Sequence, residues 1–200
     1  MRTLYGLTGV IGSGKSRVAA ALANLLGWPL LDCDHLAAQV MAPGGPGVTA
    51  LARLADRFVD SRGHLRRELL RQAIFSDPEL RSKVDRVIHP LIKEELRARL
   101  ADLPPGARHV LVEVPLLFEA GWQDMFAATI CVYARPQVCS HRLQLRDGLS
   151  REQATAALCA QMPLAQKVEL ADHVIDNSGG WWQTRMQIGH LAEFLRAEAL

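Results

Sequence analysis

Gly9-Val10-Ile11-Gly12-Ser13-Gly14-Lys15-Ser16 is the stretch on which the reading of this chain turns. It follows a short apolar run, Leu4 to Thr8, that reads as a buried strand, and it opens an alanine- and leucine-rich run, Ser16 to Leu26, that reads as a helix stopped by Gly27. Glycines crowd the turn, so the strand cannot continue through it. The order GxxxxGK[ST] between a strand and a helix is the pattern of a loop that wraps phosphate groups. Its glycines let main-chain amides curl toward the anion, and the helix N-terminus adds unpaired N–H groups and a favourable dipole. Lys15 supplies a point charge for β- and γ-phosphates, and the Ser16 hydroxyl is placed to ligate Mg²⁺. A glycine-rich turn with no ligand is the bland alternative, and the complete pattern in this context argues against it.

Beyond that helix, Pro29 to Asp32 reads as a second strand, with Asp34 just beyond its end. From about His35 to Asp102 the pattern is helical, broken by Pro43 to Gly47 and by Asp60 to Gly63; helices are predicted over Val48–Phe58, Arg66–Phe75, Pro78–Ile88 and Leu91–Leu103. His109 to Val114, Ala128 to Tyr133 and His173 to Asp176 complete a set of five strands. Pro136 to Leu170 is again helical, with Ser150 and Gln153 spaced as a capping box, and Trp181-Trp182 precede a final helix. Strands alternating with helices predict an α/β fold, a five-stranded parallel sheet flanked by helices. The expected core is about 1–34, 104–135 and 171–200, with a helical insertion at about 35–103 and a lid at about 136–170.

Composition is compatible with one sizeable core: 200 residues, 49% hydrophobic, and a formal charge of +2 with no long run of like charge. Neither nucleic-acid nor membrane binding is indicated. Cys33, Cys131, Cys139 and Cys159 form no CxxC pair, which argues for reduced, packed thiols rather than a zinc or redox motif. No segment has the length of a membrane span, and the apolar stretch near the start is too short and glycine-rich for a signal peptide, so a cytoplasmic protein is expected.

Two further groups carry chemistry. Extended side chains alternate, which would put Asp32 and Asp34 on one face near the phosphate loop, where open parallel sheets bind ligands. A carboxylate there accepts the proton of an attacking hydroxyl or orients Mg²⁺ through water; capping of the next helix is the ordinary alternative. Arg142 and Arg146, four apart, share one helix face, suited to neutralising a phosphoryl group in transfer, or else forming a plain solvated basic face. A GTPase is excluded because neither Asn24 nor Asn177 begins an NKxD motif.

The ordered set formed by Leu7 through Ser16, Asp32-Cys33-Asp34, His89-Pro90-Leu91, Val114-Pro115-Leu116-Leu117-Phe118-Glu119, Arg142-Leu143 through Arg146-Asp147, and Ala171 through Asn177 resembles the dephospho-CoA kinases over nearly the whole chain. The resemblance implies a P-loop kinase core in which the insertion binds the acceptor and the lid closes over the nucleotide. It implies transfer of the γ-phosphoryl group of ATP to the ribose 3′-hydroxyl of dephospho-CoA, with Mg²⁺, in a monomer or weak homo-oligomer. Asp34 then matches the catalytic base, Lys15 the phosphate-loop lysine and Arg142 a lid arginine. The nucleotide site comprises Gly9, Ile11, Gly12, Ser13, Gly14, Lys15, Ser16, Arg17, Arg142, Arg146 and Asn177. The acceptor site comprises Thr8, Asp34, His89, Pro115 and Leu116. Ser16 is the expected metal ligand, with Asp32 through water. His89 has a competing reading as a helix-terminal residue before proline, and the Pro115 turn as plain packing. Val10, Arg17, Ala38 and Glu113 depart from the common pattern, Glu113 standing where aspartate is frequent. A kinase for another small acceptor, such as a nucleoside monophosphate, and a non-catalytic ATP-binding regulatory module are the competing functions.

Overall fold

The computed structural model describes residues 2–198. Residues 1, 199 and 200 of the expected core lie outside them. Five parallel strands form one sheet: β1 (Thr3–Thr8), β2 (Leu30–Asp32), β3 (His109–Glu113), β4 (Ala128–Tyr133) and β5 (His173–Asp176), in the order β2-β3-β1-β4-β5. β2 and β3 lie on one side of β1, β4 and β5 on the other. The carboxyl end of β1 is therefore where the winding reverses, the place at which open α/β sheets bind ligands. Leu7, Leu111, Ile130 and Val132 are wholly buried, as expected of strands covered on both faces.

One cover is built from α1 (Lys15–Leu26) and the last helix, which begin and end the sheet's wrapping: Val18, Ala19 and Leu22 pack with Ile188, Leu191 and Leu195 against the strands. Gly27 takes the left-handed conformation, φ 72°, that ends α1 by letting its N–H reach Ala23 O. On the opposite face Gly6 is held against Leu117 and Phe126, where a Cβ would lie 2.7 to 2.9 Å from their side chains.

The described residues fall into two compact units, one running to Asp32 and resuming at Pro104, the other spanning Cys33–Leu103. The second unit is four helices, α2 (Cys33–Val40), α3 (Pro46–Leu54), α4 (Arg67–Ser76) and α5 (Pro78–Asp102), around Leu51, Phe58, Leu70 and Val84. Between α3 and α4 a 3-10 turn, Asp56–Phe58, leads into a tight connection bridged at Val59 and Leu65. The Asp60 carboxylate closes it by accepting from the N–H groups of Arg62 (2.9 Å) and His64 (2.8 Å).

Several predicted boundaries move. The helix predicted over Val48–Phe58 is α3 and the separate 3-10 turn; the helical stretch before β5 is α6 (Pro136–Asp147), α7 (Arg151–Cys159) and α8 (Leu164–Leu170). Trp181 and Trp182 do not precede the final helix but start it, α9 (Trp181–Glu198). The capping box forms as read, Ser150 Oγ accepting from Gln153 N–H while Gln153 Oε1 accepts from Ser150 N–H. The helices predicted over Pro78–Ile88 and Leu91–Leu103 are one helix, α5, that runs through Pro90. An interior proline costs about 3 kcal/mol or more. Val84, Ile92 and Leu96 are buried along one stripe of α5, and each buried side chain of that size is worth about 1.5–3 kcal/mol. Packing outweighs the break.

Asp77 caps α5, its carboxylate accepting from Leu80 N–H at 3.0 Å. Asp77→Ala should lower stability by about 0.5–2 kcal/mol, read as a lower urea midpoint with unchanged slope. An unchanged midpoint would show that the cap contributes nothing.

Candidate active site

The loop between β1 and α1 is shaped by two glycines in the left-handed region, Gly12 (φ 79°) and Gly14 (φ 87°). Space also requires glycine there: a Cβ on Gly12 would lie 2.7 Å from Cys139 O, and one on Gly14 would collide with the Asn177 amide nitrogen. Gly14 is the N-cap of α1, so Lys15, rather than Ser16, is the first helical residue.

The carbonyls of this loop are held from behind. Arg142, on α6, donates through Nη1 to Gly12 O (3.3 Å) and Ser13 O (3.1 Å) and through Nη2 to Asn177 O (2.8 Å). Asn177, buried just past β5, donates through Nδ2 to Ser13 O at 2.7 Å while its Oδ1 accepts from Thr184 on α9 at 3.0 Å. Ile11 N–H donates to Gln161 Oε1 at 2.8 Å. The amide of Ile11 is thereby taken up within the protein, so this residue shapes the loop from its side.

In front of the loop lies a cavity of about 600 Å³ whose lining includes Gly12, Gly14, Lys15, Ser16, Arg17, Arg142, Arg146, Asn177 and Trp181. Four of these carry positive charge and none is acidic. Lys15 makes no ion pair among the described residues. Arg17 stacks its guanidinium 3.8 Å from the centre of the Trp181 ring. Arg146 is exposed and forks onto Asp147 (2.7 and 2.8 Å), which raises the arginine pKa and lowers that of Asp147. Such an exposed pair adds little stability. Of the two predicted arginines, then, Arg142 is built into the loop and Arg146 has the character of a solvated face at the cavity's edge.

The Ser16 hydroxyl donates to Glu113 Oε1 at 2.6 Å. Its proton thus points back to a carboxylate that is 3% exposed, leaving the oxygen lone pairs for a cation. Asp32 is in register with Glu113 on the neighbouring strand. Hard oxygen donors of this kind fit Mg²⁺. Glu113 is the residue the sequence reading missed as a site: its signal was a carboxylate ending a buried strand beside the loop.

The acceptor-side candidates divide. Thr8 is fully buried and donates to Pro115 O at 3.1 Å, so it supports the turn instead of lining an open surface. Pro115 and Leu116 are half-buried in the same unit. Asp34 and His89 belong to the second unit. The helix begins at Cys33, directly after β2, so strand alternation does not govern Asp34; it stands exposed in the first turn of α2, where a carboxylate meets the positive end of the helix. His89 is not helix-terminal but lies within α5, half-buried. Burial pushes its pKa down, partly opposed by the Asp85 carboxylate 3.9 Å away.

The family model for dephospho-CoA kinase matches residues 3–183. A dephospho-CoA kinase from Syntrophotalea carbinolica is 43% identical over 190 residues, covering 92% of this chain and 88% of that protein. A solved structure from Thermus thermophilus superposes with a TM-score of 0.82 at 38% identity over 96% of this chain and 97% of that one. A dephospho-CoA kinase from Campylobacter jejuni, 23% identical, shares the fold with a TM-score of 0.70 over 100% of both chains.

Gly14→Ala should leave a folded protein with a spoiled loop. A left-handed non-glycine residue costs about 1–2 kcal/mol, so ATP affinity should fall by about tenfold or more once the Asn177 collision is added. Calorimetric titration measures it, beside a circular dichroism spectrum that stays unchanged; wild-type affinity would refute the account of the loop.

Proposed function

The chain belongs to the dephospho-CoA kinase family, and we propose that it transfers the γ-phosphoryl group of ATP to the ribose 3′-hydroxyl of dephospho-CoA, yielding coenzyme A and ADP. The observation that carries this reading is the cationic cradle, Lys15 and Arg142 about a loop whose carbonyls are tied back, in a chain matched along nearly its whole length.

Phosphoryl transfer is accelerated by positioning and by charge neutralisation. The amides of Gly12, Gly14, Lys15 and Ser16, at the α1 N-terminus, hold the β-phosphate, the Ser13 N–H being taken by Val10 O at 3.1 Å. Lys15 follows the charge on the γ-phosphoryl oxygens, and Arg142 presents its remaining hydrogens from the other side. Asp34 accepts the proton of the 3′-hydroxyl as that oxygen attacks phosphorus and the bond to the ADP oxygen breaks. Ser16, backed by Glu113, and Asp32 through water would hold Mg²⁺, which supplies charge neutralisation at the β- and γ-phosphates. Arg17, Arg146 and Asn177 complete the nucleotide site. His89, Pro115 and Leu116 flank the acceptor, and Thr8 acts there through Pro115. The helical unit Cys33–Leu103 is the acceptor-binding insertion, and α6 to α8 form the lid.

A cytoplasmic location accords with the reduced, buried thiols of Cys33, Cys131 and Cys139, the Cys131 pKa being pushed up to about 11 by burial. Cys159 departs from the expectation of packed cysteines and is exposed. Among the described residues no helix is long and apolar enough to cross a membrane.

A coupled ADP-release assay over dephospho-CoA, AMP, CMP, shikimate and pantothenate tests the acceptor. Dephospho-CoA should be far the best, because its pantetheine arm supplies binding energy that helps position the hydroxyl; AMP used equally well would overturn the assignment. Asp34→Asn should lose about 10²–10⁴ in turnover with ATP binding little changed, and wild-type turnover would remove Asp34 as the base. Excess chelator should abolish activity and added Mg²⁺ restore it, whereas full activity in chelator would exclude a metal-held triphosphate.

A further inference from the structure

Lys167 is wholly buried on α8, an unusual place for a lysine. Its Nζ donates to Pro115 O at 2.8 Å and pairs with Glu119 Oε1 at 2.9 Å. Thr8 Oγ1 donates to the same Pro115 carbonyl, so both of its lone pairs are engaged. Glu119 Oε1 also accepts from Met162 N–H at 3.0 Å, and the preceding residue, Gln161, is the one that receives Ile11 N–H from the phosphate loop. One short segment, Gln161 to Lys167, thus fastens both the turn after β3 and the loop after β1.

A purely stabilising role explains this poorly. A buried ion pair adds little stability over apolar side chains of similar volume, because desolvation offsets the attraction. The pair is also incompletely satisfied: Glu119 Oε2 is buried with no hydrogen-bond partner. An apolar pair would avoid that defect but could not hold a carbonyl. What the lysine supplies is a directed bond to Pro115.

We propose that Lys167 is a positioning residue for phosphoryl transfer, clamping the Pro115 turn, together with Thr8 and Glu119, at a fixed distance from the phosphate loop so that the acceptor hydroxyl is aligned with the γ-phosphate. This rests on the reading that Pro115 and Leu116 flank the acceptor. The residue acts through the turn and touches neither substrate. Misplacing a reactant by about 1 Å costs up to about 100-fold in rate, whereas the phosphate loop keeps its own bonds to Arg142, Asn177 and Gln161, none of which the lysine makes.

Lys167→Met removes the bond but leaves the half-buried Glu119 carboxylate without its cation, so the double variant Lys167→Met/Glu119→Gln, which removes both charges together, serves as the version that keeps its fold. Both are assayed well below their melting temperatures for turnover of dephospho-CoA, ATP dissociation constant, and slow ATP hydrolysis without acceptor. Turnover of dephospho-CoA should fall about 10- to 100-fold, while the ATP constant and the acceptor-free hydrolysis stay within about threefold of wild type. A folded double variant with turnover within about twofold of wild type would overturn the proposal. So would an equal loss in ATP affinity, which a general structural role predicts. If the wild-type protein itself leaves dephospho-CoA unphosphorylated, the acceptor reading fails first, and that outcome is visible before any variant is made.

Discussion

A loop that turns its amides toward an anion must turn its carbonyls away from it, and in a packed strand-to-helix turn those carbonyls need donors. Left unmade, each such bond costs about 1–3 kcal/mol. Here the donors for Gly12 and Ser13 come from Arg142 and Asn177, and those two residues fix where their elements lie. Asn177 follows β5 directly, and its own N–H donates to Tyr133 O at the end of β4. Thr184 on α9 holds its amide oxygen. The edge of the sheet, the start of α9 and the body of α6 are therefore parts of one arrangement whose purpose is to present the loop's other side.

The same arrangement concentrates charge without making the protein basic overall. The formal net charge is +2, yet the cavity before the loop gathers Lys15, Arg17, Arg142 and Arg146 with no acidic lining residue. Low-dielectric walls strengthen such a local field relative to open solvent. Carboxylates near the site are placed to assist and not to compete. Glu113 is behind Ser16, accepting its hydroxyl hydrogen bond, and Asp147 holds Arg146 at the rim.

Much of this was legible from local pattern. The motif lay between a strand and a helix, so the loop, the parallel sheet and the helical insertion followed from periodicity and glycine placement. What escaped the sequence depended on contacts distant along the chain. Pro90 marks a helix end in any local reading, and only the buried stripe Val84, Ile92 and Leu96 carries α5 past it. Asp32 and Asp34 alternate only if the chain stays extended, and the helix beginning at Cys33 removes that premise. Glu113 looked like a conservative variant at a strand end until its 2.6 Å bond to Ser16 tied it to the phosphate loop. Thr8 carried a site residue's position but a supporting residue's bonds.

The cations also divide by chemistry in a way that composition alone does not reveal. Arginine is a planar fork with five donors, so Arg142 can bind three main-chain carbonyls at once and still face the cavity with other hydrogens. A lysine there would lose the fork and slacken the loop. Lys15 works in the opposite way. As a compact charge on a flexible stem, with no ion pair among the described residues, it can, in the proposed reaction, follow a phosphoryl group whose charge moves during transfer. Fixed geometry behind the loop and a mobile charge in front of it are complementary. A rigid cation in front would match the ground state alone, and a mobile one behind would let the amides lose their aim.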